Sequence, residues 1–251
     1  MNSTSADTFN PKTHELDQRL FPSAPSDSRG GAQALLDSAR SFLEGCGSSS
    51  SPTPLGSDES GKAQILAWAT QNNRVTDKPP FRLDGSRDKG GGEHHAGFDK
   101  NSGRWIKVTR GAGNSFGCTL DLRGPRWSIG RCTAAQYLTR LSLQSEVLGD
   151  DTTFHGLFAD VHGNVNLITS QSDKPGVSLS NTEITDAMQA SGYFPMGHSG
   201  YYSKSNNVLI LDLHAENLVR SGNLIRFIDT IILKPTPAQI ARLVQEKAIV
   251  A

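Results

Sequence analysis

Residues 208–230 read VLILDLHAENLVRSGNLIRFIDT, and this stretch decides how the chain is interpreted. An apolar run typical of a buried strand ends at Asp212, and Asn217 follows five residues later. The Ser-Gly pair at 221–222 predicts a tight turn, after which a second apolar segment ends at Asp229. A hairpin of this length brings Asp229 back beside Asn217. Because Asp and Asn oxygens suit Mg²⁺, and because a further Asp can orient a hydroxyl nucleophile, these side chains predict a metal-dependent site.

A candidate cation for the same site lies upstream. Two short strands are predicted at 96–98 and 104–109, joined by a polar turn at 99–103. Side chains alternate between the two faces of a strand, so Lys107 lies on the face opposite Ile106. A lysine on that face can point into a cleft rather than into the core.

The remaining pattern predicts an α+β fold built from short elements. The glycine-rich stretch 111–131 is predicted to be irregular. Helices are predicted at 62–72, 134–148, 181–190 and from 236 onward, and further strands at 153–159, 164–169, 208–213 and 224–232.

Composition excludes several classes of protein. The chain has 251 residues, of which 25 are basic and 25 acidic, so a histone-like or strongly acidic tail protein is excluded. The hydrophobic fraction of 35% predicts that part of the chain does not join the core. We place that part in the segment 1–60, which contains one amphipathic stretch at 32–44. Whether this stretch is a docking helix or an isolated segment stays open. The absence of a long apolar run or a secretory signal predicts a soluble, cytoplasmic protein.

The ordered set of motifs resembles a known family. The phrases ILAWA, GGGEHH, IKVT, YLTRL, EVLGDD, ITSQ, DLHAEN and FID follow one another along the chain. The Asp-x-x-x-x-Asn spacing, the glycine turn and the Ile-Asp that follows resemble the protein-kinase-like superfamily, with a catalytic loop similar to that of aminoglycoside phosphotransferases. The whole set resembles the kinase domain of polyvalent proteins from bacterial phages and mobile elements, over about residues 61–234.

The resemblance implies a reduced two-lobed kinase-like fold. Its N-lobe would be a small antiparallel sheet at 61–170, and its truncated C-lobe, at 171–251, would carry the catalytic loop. The implied cofactors are ATP and Mg²⁺, and the implied activity is phosphoryl transfer to an unidentified hydroxyl acceptor. The implied roles are phosphate contacts for Gly91, Gly92 and Lys107, catalysis for Asp212 with Lys107, and Mg²⁺ binding for Asn217 and Asp229.

The family also implies an acidic partner for Lys107 on the helix at 134–148. Glu146 is the only acid in that helix and is therefore the expected partner, although it lies in the last turn. The usual mid-helix position is held by Gln136 or Arg140. The catalytic loop departs from the family at Ile210, where a histidine is usual.

Alternative functions follow from the same sequence. A nucleotide-binding pseudokinase would act through protein partners and would use the N-terminal segment 1–60 as its docking arm. The basic stretch 104–140 carries seven basic residues and one acid, which suits a polyanion, but the neutral net charge and the lack of an RNA-binding motif make nucleic acid an unfavoured partner. A zinc site is a further alternative; it would combine the adjacent histidines His94 and His95 with His155 or His198.

Overall fold

Mixed helices and strands make up the computed structural model, which confirms the α+β class. The structure describes residues 30–47, 58–78, 80, 92–110, 115–160 and 162–249. The prediction for Gly91, and the parts of the predicted N-terminal segment 1–60 at 1–29 and 48–57, lie outside these residues. The helices are α1 (Gly30–Gly47), α2 (Asp58–Gln71), α3 (Ala134–Leu148), α4 (Asn181–Ala190) and α5 (Pro237–Gln245).

The first sheet carries Lys107. It has five strands in the order β1-β6-β7-β3-β2, and all neighbours are antiparallel except β1 and β6. Its strands are β1 (Val75–Thr76), β2 (His94–Asp99), β3 (Arg104–Thr109), β6 (Thr153–Ala159) and β7 (Val165–Ser172). Lys107 pairs with Ala96 on one side and Thr169 on the other, so it lies on an inner strand. The predicted turn at 99–103 joins the antiparallel pair β2 and β3, and the predicted strands at 153–159 and 164–169 are present as the antiparallel pair β6 and β7.

The second group of strands carries the acidic residues. One sheet has the order β14-β11-β10-β9, and a second has the order β13-β12-β8. In both sheets every neighbouring pair is antiparallel. The strands are β8 (Val177–Ser178), β9 (Phe194–Gly197), β10 (Gly200–Ser203), β11 (Val208–Leu211), β12 (Leu218–Ser221), β13 (Leu224–Phe227) and β14 (Ile231–Leu233).

Local sequence signals set the ends of α3. The Thr133 hydroxyl accepts from the backbone N–H of Gln136, and the Gln136 side chain accepts from the backbone N–H of Thr133. Gly149 ends the helix in the left-handed conformation, with φ 62°, which glycine adopts without steric cost. The inner face of α3 contributes Tyr137 and Leu138 to the largest apolar core.

The helix α1 docks onto the folded part of the chain, which answers the question that the amphipathic stretch left open. Leu36, Ala39 and Leu43 are buried in the same core as Leu138 and Phe154. Polar contacts accompany the apolar ones: Trp68 Nε1 donates to Ser38 Oγ at 3.3 Å, and Arg40 donates to Ser142 Oγ of α3 at 2.9 Å. The docked helix therefore supports the outer side of α3.

Shortening one of these apolar side chains tests the docking. Leu36→Ala is expected to lower the free energy of unfolding by about 2–5 kcal/mol, because it leaves a cavity between helices. The measurement is urea denaturation followed by circular dichroism. The control is Asp37→Ala on the exposed side of α1, where loss of the contacts to Gln33 and Arg40 is expected to change stability by about 0.5 kcal/mol or less. Equal effects of the two substitutions would contradict the docking.

Two sequence predictions of local structure were wrong. The glycine-rich stretch predicted as irregular contains a hairpin of β4 (Cys118–Asp121) and β5 (Ser128–Arg131). The single strand predicted at 224–232 is interrupted, because β13 ends before Asp229 and β14 begins after it. Asp229 therefore lies between the two strands, and its side chain is bonded to an arginine. Among the described helices, none is long and apolar enough to cross a membrane.

Candidate active site

A cleft of about 710 Å³ separates the first sheet from the second group of strands, which carries the acidic residues. Most of the residues predicted for the site line it, although they come from distant parts of the chain. These are Gly92, Lys107, Asp212, Asn217 and Asp229. The fold therefore brings these five predicted residues around a single solvent-accessible space.

The Lys107 side chain extends across the cleft toward the segment that carries Asp229. Its Nζ donates to the backbone carbonyl of Ile228 at 2.9 Å, immediately before Asp229. Trp105 lines the cleft on the same strand and donates from Nε1 to Asp173 Oδ1 at 2.9 Å. The Lys107 ammonium is therefore held on the side of the cleft that carries Asp229, by a hydrogen bond to a neutral carbonyl oxygen.

The loop 212–217 is held in an unusual backbone conformation. Asp212 has φ +63°, which a non-glycine residue rarely adopts and which is concentrated at functional sites. Asn217 Nδ2 stabilises it by donating to Asp212 O at 2.8 Å and to Asp212 Oδ2 at 3.1 Å. The backbone N–H of Leu213 donates to Ser199 O at 2.9 Å, which anchors the loop to the turn before β10. These bonds hold the Asp212 carboxylate at the cleft, with its side chain 44% exposed.

The hydrogen bonds of the Asn217 side chain fix the orientation in which it can bind a cation. Its amide nitrogen is directed at Asp212, so a cation can use only its amide oxygen. Its backbone carbonyl accepts from Ile228 N at 2.8 Å, which ties the loop to the segment that carries Asp229. The predicted convergence of Asn217 and Asp229 is therefore enforced by a backbone hydrogen bond.

Asp229 is surrounded by positive charge. Arg140 donates to Oδ1 at 3.0 Å, and His94 Nδ1 lies 3.4 Å from Oδ2. Burial alone would raise the pKa of Asp229, but the charges of Lys107, His94 and Arg140 outweigh it and hold the pKa well below its usual range. The carboxylate is therefore ionised at neutral pH, as a metal ligand must be.

Arg140 and Glu93 belong to the site although the sequence analysis did not assign them to it. Arg140 projects from the buried face of α3 and bonds both Asp229 and Glu93. A signal for it was present, since Arg140 follows the buried Tyr137 by three residues and so shares its helix face. A charged residue at such a position needs a buried partner of opposite sign.

A second buried ion pair lies at the end of β7. Lys174 Nζ contacts Asp150 Oδ1 at 2.7 Å and donates to Phe227 O at 2.5 Å. Gln171 donates to the other oxygen of Asp150 at 2.8 Å. Burial lowers the pKa of Lys174, and the attraction of Asp150 opposes that effect. The sequence signal was weak: Lys174 is the only basic residue between 141 and 190.

Glu146 does not take the position expected for a partner of Lys107. It forms an ion pair with Lys234 at 3.0 Å, with both side chains at least half exposed. It lines a different cavity, of about 450 Å³, on the other side of α3. The reason is its place in the last turn of the helix, which faces away from the cleft.

The zinc alternative is not supported in the form predicted. His94 lies with Glu93 and Asp229, whereas His155 bonds Ser170 Oγ at 2.8 Å and His198 packs its ring on Trp127. Among the described residues, Glu93, His94 and Asp229 form the group whose ligand atoms are close enough to hold a metal ion.

Comparison with known proteins identifies a family for part of the chain. Residues 127–234 match the family model described as a serine/threonine/tyrosine kinase found in polyvalent proteins. The match confirms the resemblance to the polyvalent-protein kinase family. It covers α3, the loop 212–217 and Asp229, whereas Lys107 lies upstream of it. No curated protein and no solved structure gives a significant match.

Proposed function

We propose that the protein is an ATP- and Mg²⁺-dependent phosphotransferase with a reduced two-lobed kinase-like fold. The observation that carries the proposal is the cleft that Lys107, Asp212, Asn217 and Asp229 line together. The five-stranded sheet acts as the N-lobe, and the strands around the loop 212–217 act as a truncated C-lobe. The kinase family match supports the same reaction class.

The positively and negatively charged side chains of the cleft have different roles in the proposed reaction. Lys107 binds the phosphates of the nucleotide and compensates their negative charge, which is the main protein contribution to phosphoryl transfer. Asp212 accepts a hydrogen bond from the acceptor hydroxyl and takes its proton as the acceptor oxygen bonds to phosphorus. The bond from the γ-phosphorus to the bridging oxygen breaks, and the nucleoside diphosphate leaves. The acceptor itself is unidentified.

The donor set on the acidic side fits magnesium. Asn217 and Asp229 supply an amide oxygen and an ionised carboxylate, which are hard ligands, and Mg²⁺ takes few protein ligands beside water and phosphate. When bound, the ion supplies neutralisation of the phosphate charge. Lys107 reaches the carbonyl next to Asp229, so the phosphate-binding and metal-binding sides meet.

Thermal unfolding tests nucleotide binding. ATP with Mg²⁺, at about 100 times its Kd, is expected to raise the melting temperature by about 5–10 °C. Asp229→Ala should lose the part of this shift that depends on Mg²⁺, because one metal ligand is gone. The control Asp186→Ala removes an exposed carboxylate of α4 and should keep the full shift. A wild-type protein that Mg²⁺ and ATP do not stabilise would refute the proposal.

A pseudokinase is the second candidate, and one observation favours it. Asp229 is already engaged by Arg140 and His94, and Lys107 by Ile228 O, so these groups have partners without a nucleotide. A pseudokinase would show the same thermal shift but no transfer of label from γ-labelled ATP to any acceptor, to water or to the protein itself.

A further inference from the structure

A cluster of charged side chains lies at the wall of the cleft, where α3 meets the start of β2. Glu93, His94 and Asp229 place their ligand atoms within 4.8 Å of one another. Arg140 enters this cluster from α3, and its side chain is 4% exposed. Two carboxylates this close together repel each other, so the cluster needs a cation to be stable.

The Arg140 guanidinium meets that need. It bonds Glu93 Oε1 and, through its other terminal nitrogen, Asp229 Oδ1 at 3.0 Å. It also lies over the Tyr137 ring, with 5.6 Å from the guanidinium carbon to the ring centroid. Burial opposes its charge, but Glu93 and Asp229 outweigh burial and raise the pKa of Arg140 above its ordinary value. The arginine is therefore always charged in this place.

The other members of the cluster are oriented by neighbours. Tyr137 OH contacts His94 Nε2 at 2.7 Å, which fixes the imidazole so that Nδ1 faces Asp229. The Glu93 carboxylate also accepts from the backbone N–H of Cys118 at 2.9 Å. The cluster is thus a preformed set of three ligands around a centre that faces Arg140.

We infer that Arg140 is the resident cation of the Glu93–His94–Asp229 cluster and the positioning residue for Asp229. The guanidinium bonds two of these three ligands, Glu93 and Asp229, and supplies the positive charge that a metal ion would otherwise supply. The Asp229 side chain remains 35% exposed and lines the cleft, so the carboxylate that Arg140 holds is accessible for the proposed reaction. The contact that connects α3 to the site is accordingly the ion pair of Arg140 with Asp229. It takes the place of the pair between a helix acid and Lys107 that the family implies. The positioning role rests on the proposed function, whereas the role of Arg140 as resident cation does not depend on nucleotide binding.

Geometry explains why arginine suits this position. A guanidinium is planar and presents several N–H donors, so it can bridge two carboxylates at once. Lysine would keep the charge but would bond them less completely. Methionine has a similar length and no charge, so Arg140→Met leaves the partly buried carboxylates of Glu93 and Asp229 without the guanidinium that bridges them.

The test uses Co²⁺ alone, without nucleotide, and measures the melting temperature and the visible absorption spectrum of the bound ion. Arg140→Met is expected to gain Co²⁺ binding, with a rise of about 5 °C at saturating metal, and Glu93→Gln in the same variant should remove the gain. Arg140→Lys keeps a cation in the cluster and should gain nothing. Arg131→Met, on the exposed strand β5, is the matched control and should behave as wild type.

Two results would overturn the inference. One is an Arg140→Met protein that folds and gains no Co²⁺ binding sensitive to Glu93. The other is a wild-type protein whose Co²⁺ binding is lost in Glu93→Gln. If Arg140→Met does not fold, the wild type carries the test through the ¹⁵N resonance of His94 Nδ1 in the presence of Zn²⁺. An unchanged resonance supports Arg140 as the resident cation, and a shift typical of direct coordination refutes it. A protein that fails to bind ATP would refute the proposed function and leave these outcomes as they are.

Discussion

Replacing Asp212 with asparagine is expected to lower the rate of phosphoryl transfer from ATP by about 10²- to 10⁴-fold. Asparagine cannot accept the proton of the acceptor hydroxyl, although it has the same shape. The loop should keep its conformation, because the bond from Asn217 to the backbone carbonyl of Asp212 does not involve the side chain that is changed. The loss should therefore be one of chemistry rather than of folding.

The measurement is transfer of label from γ-labelled ATP to the protein and to water, as released phosphate. Asp186→Asn, on the exposed face of α4, is the matched control and should keep the wild-type rate. Asp212→Asn should also keep the thermal shift that ATP and Mg²⁺ produce, since Asn217 and Asp229 are intact. Equal transfer by wild type and Asp212→Asn would contradict the role of Asp212.

Replacing Lys174 with methionine is expected to lower the free energy of unfolding by about 3–5 kcal/mol, the largest stability effect that we predict for a change of charge. Lys174 and Asp150 are both more than nine-tenths buried, and the lysine also donates to Phe227 O. Removal of the ammonium leaves the buried Asp150 carboxylate with the neutral donors Gln171 and Thr152.

The same substitution at an exposed ion pair provides the control. Lys234→Met breaks the pair with Glu146, whose side chains are 50% and 61% exposed, and should cost about 1 kcal/mol or less. Urea denaturation followed by tryptophan fluorescence measures both changes. If the two variants lose equal stability, burial of the Lys174–Asp150 pair has no energetic consequence, and the prediction is wrong.

Local signals explain what could be predicted from the sequence. The bounds of α3 agree with the prediction because Thr133, Gln136 and Gly149 act within one turn of the helix ends. The convergence of Asp212, Asn217 and Asp229 was also predictable, since one hairpin joins Asn217 to Asp229 and Asp212 precedes Asn217 by five residues. In both cases the relevant residues are close in sequence, so spacing alone carries the information.

The remainder depends on contacts between distant segments. Glu93 and Arg140 are 47 residues apart, and Arg140 and Asp229 are 89 apart, so spacing gives no indication that they meet. Glu146 was favoured because it is the only acid in the helix, but its exposed position gives it Lys234 as a partner. Which residues are charged is evident from the sequence, whereas the direction in which each side chain points depends on how α3 packs.

The pairing of β11 with β14 also constrains how the cleft can move. Leu211 pairs with Ile231 in the last pair of this ladder, so Asp212 lies one residue after that pair, at the end of β11, and Asp229 lies two residues before it, ahead of β14. A hinge motion that widens the cleft would therefore carry both carboxylates as one rigid unit, and the variable distance would be the one to Lys107 on β3. A pair of spectroscopic labels, one on each side of the cleft, would measure opening and closing of the cleft as a change in that single distance.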